Sequence, residues 1–360
     1  MKIGILTYHR SNNYGALLQA IALKKVLSDM GHKVTFIDYW PAYHRQMYAL
    51  FSFSWMLAQK GVKKKISYLT SCIHRYAYRK KRKDNFDSFI HEYIEPYTSS
   101  VSEVYDVIVH GSDQIWRKQP KTKTYNPVYF GKHSICAAKK ISYAASMPMD
   151  SLKQNDKPII KEYLAYLDSI SVREKELKEL VTELGYECEL NLDPTLLLDR
   201  GRWLSLIKLQ PISSEKYVLY YKLQGNCFDE QAIKSFAKER NLKLISLLGV
   251  PTEETEDKIT TASPIKMLSL IKEAEYVFTS SYHGLVFSIL FHKPFYASFS
   301  KSPSRAVSLL SDIYLSNRLL KPKSAIPQVE SDIDYSKIDS IIDAKRMVSI
   351  NYLESVLANI

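Results

Sequence analysis

The sequence predicts an α/β protein made of two Rossmann-like halves, and three observations support this fold class. Two short apolar runs, Met1 to Thr7 and Lys33 to Tyr39, flank a helical apolar stripe from Ala16 to Met30. The pattern breaks around Asp193-Pro194, and the same alternation of strands and helices restarts at Tyr217. A strand–helix–strand opening is typical of a parallel sheet with helices on both faces.

The remaining elements follow the same alternation. In the first half we expect further strands at Tyr105 to His110, Lys140 to Ala145 and Ser169 to Arg173. In the second half we expect strands at Tyr217 to Lys222, Lys243 to Leu248 and Tyr276 to Thr279, and helices at Glu230 to Glu239, Ile265 to Ala274 and Tyr282 to Phe291. We therefore expect an N-terminal domain at 1–200 and a C-terminal domain at 201–335. The segment 336–360 is expected to be a terminal helix packing back on the body, with Ser336 and Asp339 as a capping box.

Composition excludes several classes of protein. The 360 residues are 46% hydrophobic and 24% charged, which excludes global disorder. The four cysteines lie far apart without a C-x-x-C pair, and the nine histidines are dispersed. We therefore expect neither a metal site nor a disulfide framework. The longest apolar stretch, Tyr48 to Ala58, is about half of a membrane span, so we expect a cytoplasmic protein.

A basic and aromatic insertion occupies residues 43–83. The chain has 50 Lys and Arg against 38 Asp and Glu, a net charge of +12, and ten of the 24 residues from Lys60 to Lys83 are basic. Such clusters bind anionic phospholipid, and interleaved aromatic residues suit the headgroup layer. No nucleic-acid-binding motif accompanies the cluster, so we expect a membrane surface as partner and no nucleic acid. The alternative is a solvated helical face.

The strongest candidate for chemistry is the junction from Phe278 to Gly284. An apolar strand runs into Ser280, Ser281 and His283, and a helix begins at once. Ligands of open α/β sheets bind beyond the carboxyl ends of strands, where helix N-termini present free N–H groups to anions. His283 can exchange a proton near neutral pH. The alternative is that both serines are N-caps and the histidine is an ordinary turn residue.

Three other strand ends carry candidate site residues. The loop from Tyr8 to Gly15 includes Asn12 and Asn13, which permit close approach of a ligand, but it lacks the G-x-G-x-x-G dinucleotide pattern. It can equally be an ordinary connection. Asp113, after Gly111-Ser112, can be a base, a sugar-hydroxyl acceptor or a helix N-cap, and we favour the cap.

Arg173, at the end of the strand that begins at Ser169, can bind a carboxylate or phosphate through two hydrogen bonds. The alternative, which we slightly favour, is a surface ion pair with Glu174 or Glu176.

Five blocks of sequence together resemble the polysaccharide pyruvyltransferase family. They are Asn13 to Ala20, Gly111 to Trp116, Ser171 to Glu174, Asp193 to Thr195 and His283-Gly284, in the family's order over roughly residues 1–325. The resemblance implies a GT-B-like pair of domains with the active site in the cleft between them. It also implies phosphoenolpyruvate as donor substrate, no further cofactor, a cell-surface polysaccharide sugar as acceptor and a pyruvate ketal as product. The acceptor in such pathways is usually lipid-linked, which would place the protein at the inner face of the cell membrane.

The resemblance also implies roles for individual residues. His283 matches the family's acid/base histidine, and Arg173 matches an arginine that would bind the donor. Ser280, Ser281 and Gly284 would form the donor-binding turn, and Asn12, Asn13, Tyr14, Gly15, Ser112 and Asp113 would line the acceptor side or the cleft. Ser281 stands where the family has an arginine two places before the histidine. Lys301 and Arg305 are the nearest downstream cations that could replace it.

Two other functions remain open from the sequence. A GT-B glycosyltransferase that uses a nucleotide sugar would have the same fold. A non-catalytic glycan-binding or nucleic-acid-binding protein would bind its ligand without releasing phosphate or nucleotide.

Overall fold

The structure is a computed structural model that describes residues 1–57, 59–120, 122–212, 215–225, 227–327 and 332–358. The strands are β1 (Lys2–Leu6), β2 (Lys33–Ile37), β3 (Thr98–Ser99), β4 (Tyr105–His110), β5 (Ala137–Ser142), β6 (Ser171–Val172), β7 (Glu189–Leu190), β8 (Tyr217–Lys222), β9 (Lys243–Leu248), β10 (Lys258–Ile259), β11 (Tyr276–Thr279) and β12 (Phe295–Ala297). The helices of the first half are α1 (Tyr14–Asp29), α2 (Ala42–Tyr48), α3 (Phe53–Leu57), α4 (Val62–His74), α5 (Tyr76–Tyr93), α6 (Lys157–Leu164), α7 (Lys175–Glu183), α8 (Pro194–Leu197) and α9 (Arg200–Leu206). Those that follow are α10 (Glu230–Glu239), α11 (Pro264–Glu273), α12 (Tyr282–Leu290), α13 (Ser304–Asp312) and α14 (Tyr335–Ala358).

Two five-stranded parallel sheets form the two halves. Their strand orders are β3-β2-β1-β4-β5 and β10-β9-β8-β11-β12, and every neighbouring pair is parallel. In each sheet the order reverses beside the first strand of that half, which is where open α/β sheets bind ligands. The two halves are therefore both Rossmann-like, and the predicted α/β class with two Rossmann-like halves is confirmed.

The central strands follow from continuous apolar runs, because both faces of each sheet are covered. The predicted bounds of β4, β8, β9 and β11 match those of the structure. Two predictions in the first half are wrong in their bounds. The strand expected at Lys140 to Ala145 is β5, which begins three residues earlier. Of the next predicted strand, Ser171 and Val172 form β6 in the small β6–β7 sheet, and Ser169 forms an isolated bridge with Ile141.

The terminal helix α14 contacts both halves. Near its start, the Tyr335 hydroxyl donates to the Lys293 carbonyl, and near its end the Tyr352 hydroxyl donates to the Ser142 carbonyl. The expected capping box is wrong, because the backbone N–H of Lys337 donates to the Asp334 carboxylate and Asp339 pairs with His292 instead. Residues 359 and 360 of the predicted helix lie outside the described residues.

The basic insertion forms helices α2 to α5, and part of it links the two halves. The buried Arg82 of α5 donates to the Thr260 carbonyl at 2.9 Å, and Lys81 pairs with Glu254 at 2.8 Å. Lys80 and Lys83 pair with acidic residues one turn later on the same helix. Arg82 is therefore buried within the protein and cannot face a membrane. Lys80, Lys81 and Lys83 remain partly exposed in their ion pairs, so contact of these lysines with a membrane stays a prediction.

Candidate active site between the two sheets

His283 lies on the first turn of α12 and contacts the first half of the chain. The helix begins where β11 ends, and the Ser281 hydroxyl accepts the backbone N–H of Gly284 at 3.3 Å, as an N-cap. The imidazole packs directly on Gly15, since a Cβ placed there would lie 1.8 Å from Nδ1. The other ring nitrogen, Nε2, lies 3.4 Å from Oδ2 of Asp193.

Asp193 joins His283 to Arg173. Its Oδ1 accepts from the backbone N–H and the hydroxyl of Thr195 at 2.9 and 2.6 Å, which fixes the carboxylate. Its Oδ2 lies 2.6 Å from Nη1 of Arg173. Burial alone would raise the pKa of Asp193, but Arg173 and then His283 outweigh it and hold that pKa well below its ordinary value. The carboxylate is therefore ionised at neutral pH.

Arg173 is buried, and its contacts differ from the expected surface ion pair. Beyond Asp193, its Nη2 donates to the Ser112 hydroxyl at 2.5 Å, and its guanidinium carbon lies 5.5 Å from the ring centre of Tyr282. The Ser112 hydroxyl donates to the Ala144 carbonyl at 2.7 Å and is thereby fixed. The end of β4 thus positions the guanidinium, so the expected pair with Glu174 or Glu176 is wrong.

A second guanidinium, that of Arg305, lies on the same aromatic ring. Its central carbon is 4.8 Å from the centre of Tyr282, and Nη1 is 3.8 Å from Oδ1 of Asp113. The N-cap interpretation of Asp113 is wrong, because this residue has a left-handed backbone with φ of 65° and no helix follows it. Two cations on one ring form a site that favours a small anion.

A cavity of about 130 Å³ opens beside these residues. Arg173, Asn191, Asp193, Tyr282, Arg305 and Lys345 are among the residues that line it. Both amide atoms of the buried Asn191, Nε of Arg173 and Nε of Arg305 lack a hydrogen-bond partner among the described residues. A buried polar atom without a partner costs about 1–3 kcal/mol, so four such atoms around one cavity indicate a polar ligand.

Glu174 adds a buried acid behind Arg173. Its Oε1 accepts from the Ser146 hydroxyl at 2.5 Å. Burial raises the pKa of Glu174 to about 6, against the opposing charge of Arg173. From the sequence, Glu174 was expected only as an ion-pair partner for Arg173, and Asn191, Asp193 and Tyr282 were not expected in the site. Asp193 stood in one of the quoted sequence blocks, which is the one signal that could have found it.

Three residues predicted to bind the donor have other contacts. The Ser280 hydroxyl oxygen accepts the backbone N–H groups of Leu223 and Gln224, both at 2.9 Å, so it holds the end of β8. Gly284 provides space, since a Cβ there would lie 2.3 Å from Oγ1 of Thr279. Lys301 is exposed and does not line the cavity described above.

The residues predicted to line the acceptor side or the cleft lie in three places. Gly15, Ser112 and Asp113 contact the site residues, as described above. Asn13 is exposed and caps α1, and the Tyr14 hydroxyl donates to the Ala262 carbonyl of the other half at 2.9 Å. Asn12 lines a second cavity of about 520 Å³, together with Arg10, Trp40, Arg45, Tyr48 and Lys83 among others.

Residues 13–303 match the sequence model of a family described as polysaccharide pyruvyl transferase. The chain belongs to this family. The match spans most of the 360 residues and includes Arg173, Asp193 and His283, whereas Arg305 lies just beyond it. Membership of the polysaccharide pyruvyl transferase family identifies the chain as a transferase.

Solved structures of sugar-nucleotide enzymes also align with this chain. A UDP-GlcNAc 2-epimerase from Methanocaldococcus jannaschii, in complex with UDP-GlcNAc and UDP, is 10% identical over 100% of each chain, with a TM-score of 0.49. The heptosyltransferase WaaC of E. coli with ADP is 11% identical over 96% of this chain and 100% of that one, with a TM-score of 0.41. No curated protein matched the chain in sequence.

Proposed function

We propose that this protein transfers the pyruvyl group of phosphoenolpyruvate to a sugar of a cell-surface polysaccharide repeat unit and forms a pyruvate ketal. The observation that carries the proposal is the cavity in which Arg173 and Arg305 lie on one aromatic ring, with buried polar atoms left unpaired. His283 does not itself line this cavity, but its Nε2 lies 3.4 Å from Oδ2 of Asp193, which does. The family match supports the same conclusion.

The size and charge of the cavity favour a small, multiply charged donor. Phosphoenolpyruvate carries a carboxylate and a phosphate, and three cations line the cavity of about 130 Å³, namely Arg173, Arg305 and Lys345. Asp193 and Asp312 in the same lining pair with Arg173 and Lys345, so the lining keeps a net positive charge that comes from Arg305. Pockets for larger ligands usually measure about 300–1,000 Å³, so a nucleotide sugar fits this cavity poorly. In our proposal Arg305 replaces the arginine missing at Ser281, whose hydroxyl is occupied as the cap of α12.

The proposed chemistry uses His283 as acid and Asp113 as base. His283 donates a proton to the methylene carbon of the donor, and C2 gains positive character. One sugar hydroxyl forms a C–O bond to C2 and gives its proton to Asp113. A second hydroxyl then forms the other C–O bond and gives its proton back to His283. The C2–O bond to phosphate breaks at the same time, and the leaving phosphate takes up the proton held by Asp113. The products are the cyclic ketal and inorganic phosphate.

We further propose that the second cavity binds the acceptor. Trp40 offers a flat apolar face for a sugar ring, and Arg45 lies in the same lining, where it can bind the diphosphate of a lipid-linked acceptor. Burial, followed by the negative charge of Asp113, raises the pKa of Tyr48, another lining residue, to about 12. Such an acceptor would bring the protein to the inner face of the cell membrane.

Donor identity is tested by comparing thermal unfolding with phosphoenolpyruvate, UDP-sugars and GDP-sugars. A ligand that binds only the native state raises the melting temperature, and we expect this for phosphoenolpyruvate alone. Stabilisation by a nucleotide sugar without stabilisation by phosphoenolpyruvate would contradict the proposal.

Catalysis is tested by measuring phosphate release in the presence of a repeat-unit acceptor. We expect His283→Ala to lower kcat by about 10²–10⁴-fold, the usual contribution of general acid catalysis, while the protein remains folded by circular dichroism. An unchanged kcat would remove His283 from the mechanism.

A further inference from the structure

Helix α4 carries an apolar stripe that faces away from the protein. Four side chains at positions i, i+4, i+7 and i+11 form this α4 stripe, with exposed fractions of 71, 54, 37 and 73%: Val62, Ile66, Leu69 and Ile73. At about 100° per residue they fall within an arc of about 60°. Phe53 and Leu57 of α3, which contacts α4, are 61% and 54% exposed and extend the patch. A contiguous exposed apolar surface of this kind marks an interaction site.

The α4 stripe is not needed to hold the helix in place. Another face of α4 does this, because Cys72 is buried and its sulfur accepts from Nη1 of Arg79 at 3.2 Å. On the same side the Tyr68 hydroxyl accepts the backbone N–H of Ser52 at 3.1 Å. The helix is therefore anchored while its apolar stripe remains free for a partner.

Basic side chains border the stripe on both sides. On a regular helix Lys63 and Lys65 project about 90° and about 70° from the centre of the stripe, in opposite directions. The segment 39–83 contains eleven Lys or Arg and no Asp or Glu. Among the described residues, no ion pair involves Lys60 or Lys63 to Lys65, in contrast to the paired lysines of α5. Charge and apolar surface thus coincide on α4.

We propose that α4 lies in the plane of an anionic phospholipid bilayer. The stripe would enter the boundary between headgroups and acyl chains, and the flanking lysines would extend to lipid phosphates. A second copy of the chain fits this surface poorly, because it would bring like-charged lysines together. No helix formed by the described residues is long and apolar enough to cross a membrane. The inference does not depend on the donor or on ketal formation.

The test is flotation of the full chain with phosphatidylcholine vesicles that do or do not contain phosphatidylglycerol. We expect recovery with the anionic vesicles only. The double variant I66E/I73E should lower the partition coefficient by at least about tenfold, because each change places a carboxylate in the apolar stripe. The control V104E/M347E makes the same change in net charge at residues that are 62% and 59% exposed elsewhere, and it should float like the wild type.

Three outcomes would overturn the inference: equal recovery with neutral vesicles, no recovery with anionic vesicles, and wild-type flotation of I66E/I73E. A dimer seen by light scattering that I66E/I73E dissociates would assign the stripe to self-association instead. The thermal shift produced by phosphoenolpyruvate is measured on every variant. An unchanged shift shows an intact donor site, so failure of membrane binding is distinguished from failure of the proposed function.

Discussion

At the scale of single residues, the candidate site depends on close packing between distant parts of the chain. Gly15 leaves room for the imidazole of His283, and Asp193 holds both His283 and Arg173. Each of these contacts joins residues that are far apart in sequence. Small changes in side-chain volume or charge here should therefore affect catalysis before they affect the fold.

We expect Gly15→Ala to reduce kcat nearly as much as His283→Ala. The added methyl would lie 1.8 Å from Nδ1 of His283, so the imidazole must move. Steady-state phosphate release measures the effect. The matched control is Gly225→Ala, where a Cβ meets nothing within 4 Å, and it should leave kcat unchanged. Equal activity of both variants would show that the imidazole position is not critical.

The buried acid Glu174 predicts a pH dependence of stability. Its pKa rises from 4.5 to about 6 on folding, so the folded state binds more protons in this range and stability falls as pH rises through it. Ionisation of Glu174 lowers the free energy of unfolding by about 2 kcal/mol, and this decrease is nearly complete above about pH 6.5. Glu174→Gln cannot ionise, so its melting temperature relative to wild type should increase between pH 4.5 and 6.5. A constant difference across that range would contradict the shift.

At the scale of elements, α5 connects the basic insertion to the second half. The Arg82 guanidinium donates to the Thr260 carbonyl and lies 5.2 Å from the ring centre of Tyr14, whose hydroxyl reaches Ala262. Asn85, one turn later, donates to the Thr261 carbonyl at 2.6 Å. These contacts place α5 and the start of α1 against the same loop of the second half.

We expect Arg82→Ala to lower the free energy of unfolding by about 2 kcal/mol or more, because it removes a charged donor and leaves a buried carbonyl unpaired. Urea denaturation measures the loss. Lys80→Ala is the control, since the exposed Lys80–Asp84 pair contributes less than about 1 kcal/mol. A similar effect of both variants would show that α5 does not link the halves.

At the scale of the whole molecule, the cavity of about 130 Å³ beside Tyr282 combines residues from three parts of the chain. Arg173 comes from the first half, Arg305 from α13 and Lys345 from α14. A ligand in this cavity should therefore stabilise all three parts together, as a single unfolding transition.

We expect phosphoenolpyruvate at about 100 times its Kd to stabilise the wild type by about 2.7 kcal/mol. Arg305→Ala should lose most of this stabilisation, because one of the two guanidiniums on Tyr282 is removed. Differential scanning fluorimetry measures it. Lys301→Ala, outside the cavity, should respond like the wild type, and the same response from Arg305→Ala would show that Arg305 does not replace the missing arginine.

Local patterns in the sequence were enough for much of the fold. The bounds of β4, β8, β9 and β11 followed from apolar runs. Capping of α12 was the alternative for Ser280 and Ser281, and the structure shows it for Ser281 only. The contacts of Asp193 and Arg82 could not be predicted in this way, because their partners lie about 90 and 178 residues away along the chain. The partner of Arg173 was predicted wrongly because Glu174 and Glu176 are adjacent in sequence, whereas the acid that it contacts, Asp193, lies in a separate element.

The two ends of α14 bear on how a substrate can enter. This helix is hydrogen-bonded to the Lys293 carbonyl at one end and to the Ser142 carbonyl at the other. Lys345, in the middle of the helix, lines the cavity beside Tyr282. If the two halves moved apart as rigid bodies, one of these two hydrogen-bonded ends of α14 would have to detach. We therefore expect a substrate to enter through movements of individual side chains while the two halves keep their relative positions. Deletion of α14 should leave the cavity open to bulk water.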